Sequence, residues 1–361
     1  MVLDPNVTNL TAPVPPFAYP NTFGPWMPPA FQQVWGWRIA LAYFLIGLGG
    51  MIVPVSIIQD FLVLKQKVQK DGGSLVINNL RLATGLTGII AIALGLLFLV
   101  IDAGKPATAW KIITYGLANG RWESWMFLGT GILAFAVILD ILYSAIWFGP
   151  TSKFFTWYYK RFGGYMIGNY IFSALVFVFG VMSATYGGIL FSLTNIPLWR
   201  DPIIIVLYPV GGLSAAAATL LILTSLLVKD KDTKEYNIKV WSTLDFIALS
   251  LEAILTAAFL YFGLIYYHAY ESMYQVVFGS YANEFWTFVV TLGIAIPMVA
   301  EIALHKVNPK HYIWMIPLIF ILVLIGAFSL RYFVVIAPAY YYPPLSPFTP
   351  IQYQFPWGTT W

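Results

Sequence analysis

Residues 82–101 read LATGLTGIIAIALGLLFLVI, twenty consecutive positions without a charge. An α-helix rises about 1.5 Å per residue, so this run matches a hydrocarbon core about 30 Å thick. Comparable apolar runs occupy 39–62, 125–147, 167–191, 203–228, 244–267, 286–304 and 312–336. Composition agrees: 60% of the residues are apolar, 9% are charged and the mean hydropathy is +0.77, whereas soluble domains carry roughly a quarter charged residues. No water-soluble fold hides that much apolar surface. The expected fold is therefore all-α, a polytopic integral membrane protein of about eight transmembrane helices in a bundle, with multiple passes through the cell (plasma) membrane.

The basic residues report topology. Loops 64–82, 149–165, 229–241 and 305–312 together hold 13 Lys and Arg, and the alternate set holds 4, Lys105, Lys111, Arg121 and Arg200. Short loops rich in Lys and Arg stay in the cytoplasm, so both termini are expected outside. The same scatter over short loops leaves no pooled basic patch, and no nucleic-acid partner is expected. The amino terminus shows no basic stretch ahead of a short apolar core, so the first span is expected to anchor the protein and not to be cleaved.

Cysteine is absent, which removes disulfides and thiolate-held clusters. The three histidines, His268, His305 and His311, fall at opposite edges of the expected membrane. No facing pair is left for a haem at common depth, and no haem, metal or iron–sulfur cluster is expected in this protein.

The organisation is expected to be threefold. Residues 1–34 carry eight prolines and form a Pro-rich extracytoplasmic arm. Residues 35–337 form the eight-helix transmembrane domain. Residues 338–361 form an aromatic, Pro-rich extracytoplasmic tail without a charge. Disordered tails are usually polar, so this one is expected either to lie in the headgroup zone or to dock on another subunit.

Ionisable groups inside a span cost several kcal/mol unless paired or hydrated. Asp60, Asp140, Asp245 and Glu301 fall near cytoplasmic helix ends, where Asp60, Asp140 and Glu301 read as solvated ends. Glu252 lies near mid-depth, while Arg38 and Arg331 lie toward the outside. Asp245, Leu249 and Glu252 share one helix face by their spacing of four and three, the layout of a candidate proton path together with Arg331. The Gly47, Gly49 and Gly50 cluster reads as close helix packing.

Asp102-Ala-Gly-Lys-Pro106 ends the second run on the outer side, and Glu123-Ser-Trp-Met126 opens the third. Gly104 permits a tight turn and Pro106 starts a rigid segment, holding Asp102 and Lys105 at the membrane boundary. A capped turn would account for these residues alone. With five further motifs the pattern resembles the NrfD/PsrC family over roughly residues 35–337: Tyr186-Gly-Gly-Ile-Leu-Phe-Ser192, Pro197-Leu-Trp199, Leu251-Glu252, Gly293-Ile-Ala-Ile-Pro297 and Ile325-Gly-Ala-Phe-Ser-Leu-Arg331-Tyr332. Each motif is weak alone, and their common order is specific.

The resemblance implies a membrane anchor subunit that binds quinone as an exchangeable substrate near the outer face. It implies electron exchange with an extracytoplasmic iron–sulfur (ferredoxin-like) subunit, itself joined to a molybdopterin catalytic subunit, so that the clusters and molybdopterin reside in the partners. Quinone-binding candidates are Arg38, Tyr43, Asp102, Lys105 and Tyr186. The proton-path candidates are Asp245, Glu252 and Arg331. Where family members often place a histidine in the first helix, this sequence has Trp35, Trp37, Arg38 and Tyr43. Two other readings compete: a secondary transporter or ion channel, whose mark would be broken helices at matching places in two halves, and a structural anchor without a quinone site. Pro297 interrupts the seventh run, with no matching break in the first half.

Overall fold

The computed structural model describes residues 35–67, 75–102, 106–148, 165–194, 196–306 and 316–340. Both terminal arms, apart from the turn Ala337–Tyr340, lie outside these residues. Among them every regular element is helical, and eight helices are long and apolar enough to cross a membrane: Trp37–Ile58, Asn79–Asp102, Trp125–Ile146, Ile171–Ser192, Ile203–Leu227, Lys234–Ile265, Ala282–Ala303 and Ile316–Ile336.

The bundle is organised round its first span. That helix is 83% buried within the protein, against 22% for the third, and it packs on the second, fourth, fifth and eighth spans. The second span shows how an all-round apolar helix is oriented. Leu86, Ile90, Leu94, Leu97 and Ile101 recur at helical spacing and are exposed, which makes them a lipid-facing stripe. Ala91 and Ile92 are buried on the other side. Pro54 lies inside the first helix, which runs on to Lys67. The fourth span meets it so closely that a Cβ at Gly50 would fall 2.8 Å from the Gly180 carbonyl oxygen, as close small-residue packing requires.

Two departures from the sequence expectation stand out. The sixth helix begins at Lys231 and runs 35 residues to Ile265, so most of the charge run read as a cytoplasmic loop is helix. Asp230 receives the Lys234 amide at its backbone carbonyl, and the Lys234 ammonium reaches back to the Ser225 carbonyl; these contacts carry the helix past the apolar stretch. A separate helix, Tyr267–Val277, then follows. The seventh span begins with one α-helical turn, Ala282–Glu284, widens to a π-helix over Phe285–Ala295 and is α-helical again at Ile296–Lys306. Runs of i→i+5 pairing are rare and cluster at functional sites. Here the wide segment lies against the eighth span, and Gly293 and Gly326 meet with no room for a Cβ on either.

The interior falls into two apolar clusters. One gathers Tyr43, Tyr186, Phe191, Trp199, Tyr208, Phe285 and Phe333. The other gathers Ile52, Val53, Ala215, Trp241 and Phe320 toward the lysine-rich ends. The polar residues described next run between them.

Candidate functional site

At the rim, Arg38 in the first turn of its helix stands 4.0 Å from Asp102, the last residue of the second. The pair is unequal: the arginine side chain is 50% exposed and the aspartate 13%. Trp37 lies edge-on to Phe98 beside them. Lys105 lies outside the described residues. The backbone then makes one 3-10 turn, Pro106–Thr108, and a short helix, Lys111–Ala118. Gly120 takes a positive φ of 58°, which favours glycine. Ser124 caps the third span by accepting the Phe127 amide. Trp110, Tyr115 and Trp122 remain exposed along this connection.

A tyrosine layer is buried deeper. The Tyr186 ring lies flat against the bare backbone of Gly129, and Gly187 leaves space for the rings of Tyr43 and Tyr208. Tyr43 and Tyr208 approach edge to face at 6.2 Å, with Phe191 5.2 Å from the first and 5.8 Å from the second. Trp35 and Trp199 cover this layer. Trp199 is fixed in turn by donating its Nε1 hydrogen to the Val334 carbonyl at 2.6 Å. In the same connection Asp201 accepts the Ile203 amide at 2.9 Å and starts the fifth span. Burial pushes the Asp201 carboxyl above its usual range, and that hydrogen bond partly offsets the rise.

The four quinone candidates that are described fall at two depths. Arg38 and Asp102 meet at the rim. Tyr43 and Tyr186 are 3% and 4% exposed in the layer beneath. Five helical positions separate Arg38 from Tyr43, which turns them to different faces. Tyr208 was not foreseen; its hydroxyl is buried without a protein partner among the described residues, and its position one turn before Gly211-Gly212 was the available signal.

Below the tyrosines sits a charged pair. Arg331 donates from Nη1 to the Ala327 carbonyl at 2.8 Å and from Nη2 to the Tyr208 carbonyl at 2.9 Å. Its guanidinium lies 5.3 Å from the Tyr208 ring centre and 5.9 Å from that of Phe44. Glu252 faces it across Gly211: a Cβ there would lie 2.8 Å from Glu252 Oε1 and 3.2 Å from Arg331 Nη1. Both residues are buried. Two isolated charges at such depth would each cost several kcal/mol, and their mutual attraction offsets that cost.

Two turns farther toward the lysine-rich side, Asp245 is wholly buried and accepts the Ser214 hydroxyl at 2.8 Å. Glu301 on the seventh span is also wholly buried, near enough for the two carboxyls to feel each other's charge. This corrects the expectation of solvated ends: Glu301 is 0% exposed and Asp140 4%. The Asp60 side chain lies outside the described residues. Hydropathy locates depth along a helix, whereas exposure depends on which face meets lipid, water or protein. Asp140 and Glu301 both turn inward.

Ordered from the rim, the described polar groups form a column of Arg38–Asp102, the three tyrosines, Arg331–Glu252 and Ser214–Asp245–Glu301. A small pocket beside it is lined by apolar side chains, Phe259, Met273, Phe285 and Phe333 among them, and offers no hydrogen bond to a carbonyl. Among the described residues no three His, Cys, Asp or Glu converge as metal ligands.

An eight-span bundle threaded by buried ionisable groups defines a multi-pass membrane protein with internal polar machinery. Residues 27–342 match the polysulphide reductase, NrfD family, and the protein belongs to that family, whose members are membrane subunits of respiratory oxidoreductase complexes. It is 29% identical over 324 residues to the C subunit of polysulfide reductase from Wolinella succinogenes, covering 84% of the present sequence and 94% of that protein. It is 27% identical over 205 residues to protein NrfD of Escherichia coli, covering 52% of the present sequence and 59% of that protein. A protein NrfD homolog of Haemophilus influenzae is 23% identical over 324 residues, covering 84% and 94%.

Proposed function

We propose that this protein is the quinone- or quinol-binding membrane anchor of a respiratory oxidoreductase. It exchanges electrons between the quinone pool and an iron–sulfur (ferredoxin-like) subunit on the extracytoplasmic face, which is joined to a molybdopterin catalytic subunit. The excess of lysine and arginine in alternate loops supports that orientation, with both termini outside. Similarity to a protein named as one subunit of polysulfide reductase supports a multi-subunit complex.

The observation that carries the reading is the buried polar column leading inward from the partly exposed Arg38–Asp102 pair. Oxidising a quinol releases two electrons and two protons, so its site needs hydrogen-bonding groups for the ring oxygens and an exit for protons. Asp102, oriented by Arg38, is suited to receive a proton at the rim, with Lys105 three residues on in sequence. Tyr43 and Tyr186 supply hydroxyls for the inner ring oxygen. Asp245, Glu252 and Arg331 continue the polar path toward the lysine-rich side. Electrons pass directly between ring and partner cluster. The reading is tested by quinone-analogue binding and quinol turnover in the intact complex carrying Asp102→Asn. Lost turnover with the partners still bound supports it; unchanged turnover with intact analogue binding overturns the assignment of Asp102.

A further inference from the structure

We propose that Asp140 is a proton-binding site of its own, seated at the closed end of a polar seam between the first three spans and loaded from the lysine-rich side. It is separate from the polar column described above and does not rest on the quinone reading.

Asp140 is 4% exposed and lies two turns before the third span ends at Trp147. Its carboxyl rests over the bare backbone of Gly88 on the second span, where a Cβ would fall 2.7 Å from Oδ2 and 3.3 Å from Ile52 Cγ2 of the first span. Among the described residues Oδ2 has no hydrogen-bond partner, and no cation forms a salt bridge with this carboxyl. The charged and titratable groups around it do not change that. Arg81, the cation of the second span, lies two turns from Gly88 and makes an interaction of its own. Tyr143 on the same helix is engaged with Ser56, Tyr186 of the fourth span is buried toward the outer end, and the Asp60 side chain of the first lies outside the described residues. An ionised carboxylate without donor or counter-charge at this depth is costly, and taking up a proton removes the cost.

The seam around this carboxyl is one-sided. Toward the lysine-rich end, Ser144 donates to the Asp140 carbonyl at 2.8 Å and rests on Gly85, which has no room for a Cβ. The Tyr143 hydroxyl meets Ser56 Oγ of the first span at 3.1 Å, and Thr84, next in sequence to Gly85, is buried as well. Hydroxyls both donate and accept, so they can hand a proton on. Toward the outer face, Leu133 and Ala136 of the third span join Ile92 of the second and Ile46 of the first in one apolar cluster, which offers nothing to carry a proton. Asp140 therefore communicates with the lysine-rich side alone. The third span packs on the second and fourth, away from the sixth helix that carries Asp245 and Glu252. Loading forms one O–H bond on the carboxyl and breaks one in the donating water or hydroxyl; unloading reverses it.

The test is infrared difference spectroscopy of the intact complex in the carboxylic C=O stretching region, on transfer from water to deuterium oxide, in potassium and in sodium buffers. A protonated-carboxyl band that shifts in deuterium oxide is expected, lost in Asp140→Asn and retained in Asp245→Asn. Gly88→Ala, which sets a methyl group beside Oδ2, is expected to displace the band. Tyr143→Phe, which removes only the hydroxyl, is expected to slow its deuterium shift. An Asp140→Asn spectrum identical to that of the parent would overturn the proposal, because the carboxyl would then hold no proton. A band that never exchanges would overturn loading from the lysine-rich side, and one abolished by sodium would make the site a metal-cation site. Should Asp140→Asn fail to assemble, Gly88→Ala and Tyr143→Phe read the same band, and a band unmoved by both overturns the assignment. The band is read without quinone, so its absence leaves the quinone assignment untouched.

Discussion

The Glu252 carboxylate and the Arg331 guanidinium both lie against the bare Cα of Gly211, which leaves a carboxyl of the sixth span facing a cation of the eighth across one glycine of the fifth. The pair joins helices far apart in sequence and ties Arg331 to the Tyr208 carbonyl on the fifth. Its geometry makes distinct demands on each of the three residues.

Removing one partner leaves the other charged and buried. Arg331→Gln is expected to destabilise the isolated protein by about 3–5 kcal/mol, read as a lowered melting temperature in detergent. Arg331→Gln combined with Glu252→Gln is expected to recover part of that loss. A double variant no better than the single one would show that the two side chains are not coupled.

Gly211→Ala puts a methyl group where Glu252 Oε1 and the Arg331 guanidinium now lie. Overpacking of this kind costs about 1–3 kcal/mol. Proton-coupled turnover in vesicles is expected to fall in this variant and in Glu252→Gln. Untouched proton uptake in Glu252→Gln would remove this pair from the path.

The Arg38–Asp102 contact is long and half solvated, and such surface pairs contribute about 0–1 kcal/mol. Asp102→Asn is accordingly expected to leave the melting temperature and the partner subunits in place while quinol oxidation or quinone reduction is lost. Co-purification followed by turnover assays separates these effects.

Asp201 offers a pH test outside the membrane spans. Its folded-state carboxyl titrates above the usual range because of burial, so its ionisation works against folding as pH rises through the raised value. Asn caps helices as well as Asp. Asp201→Asn is therefore expected to melt higher than the parent at neutral pH. The difference should vanish below about pH 4, near the unfolded carboxyl value. A difference that persists or grows in acid would contradict this assignment.

The eight spans were legible because lipid demands length and apolarity, and both are written in the residues. Where helices run beyond the bilayer, as at Lys231, hydropathy has no reason to mark the end. The shared face of Asp245 and Glu252 followed from spacing on one helix. Their partners Ser214, Glu301 and Tyr208 did not, because helix rotation about its axis is unmarked when every face is apolar. Ser214 sits before a run of alanines and Glu301 beside a helix end, so neither announced its burial. The π-helix left no local signature beyond Gly293 and Pro297.

The sixth helix is about 50 Å long at 1.5 Å per residue, yet only about 30 Å of it fits within hydrocarbon. Its lysine-rich end is held and not free: Lys234 in the first turn is bonded to the Ser225 carbonyl at the end of the fifth span, and Ile238 and Trp241 one and two turns on are buried. An antibody fragment gripping the exposed lysines of that end would therefore report the fifth and sixth spans tilting as one unit, with Ser214 and Asp245 carried along together.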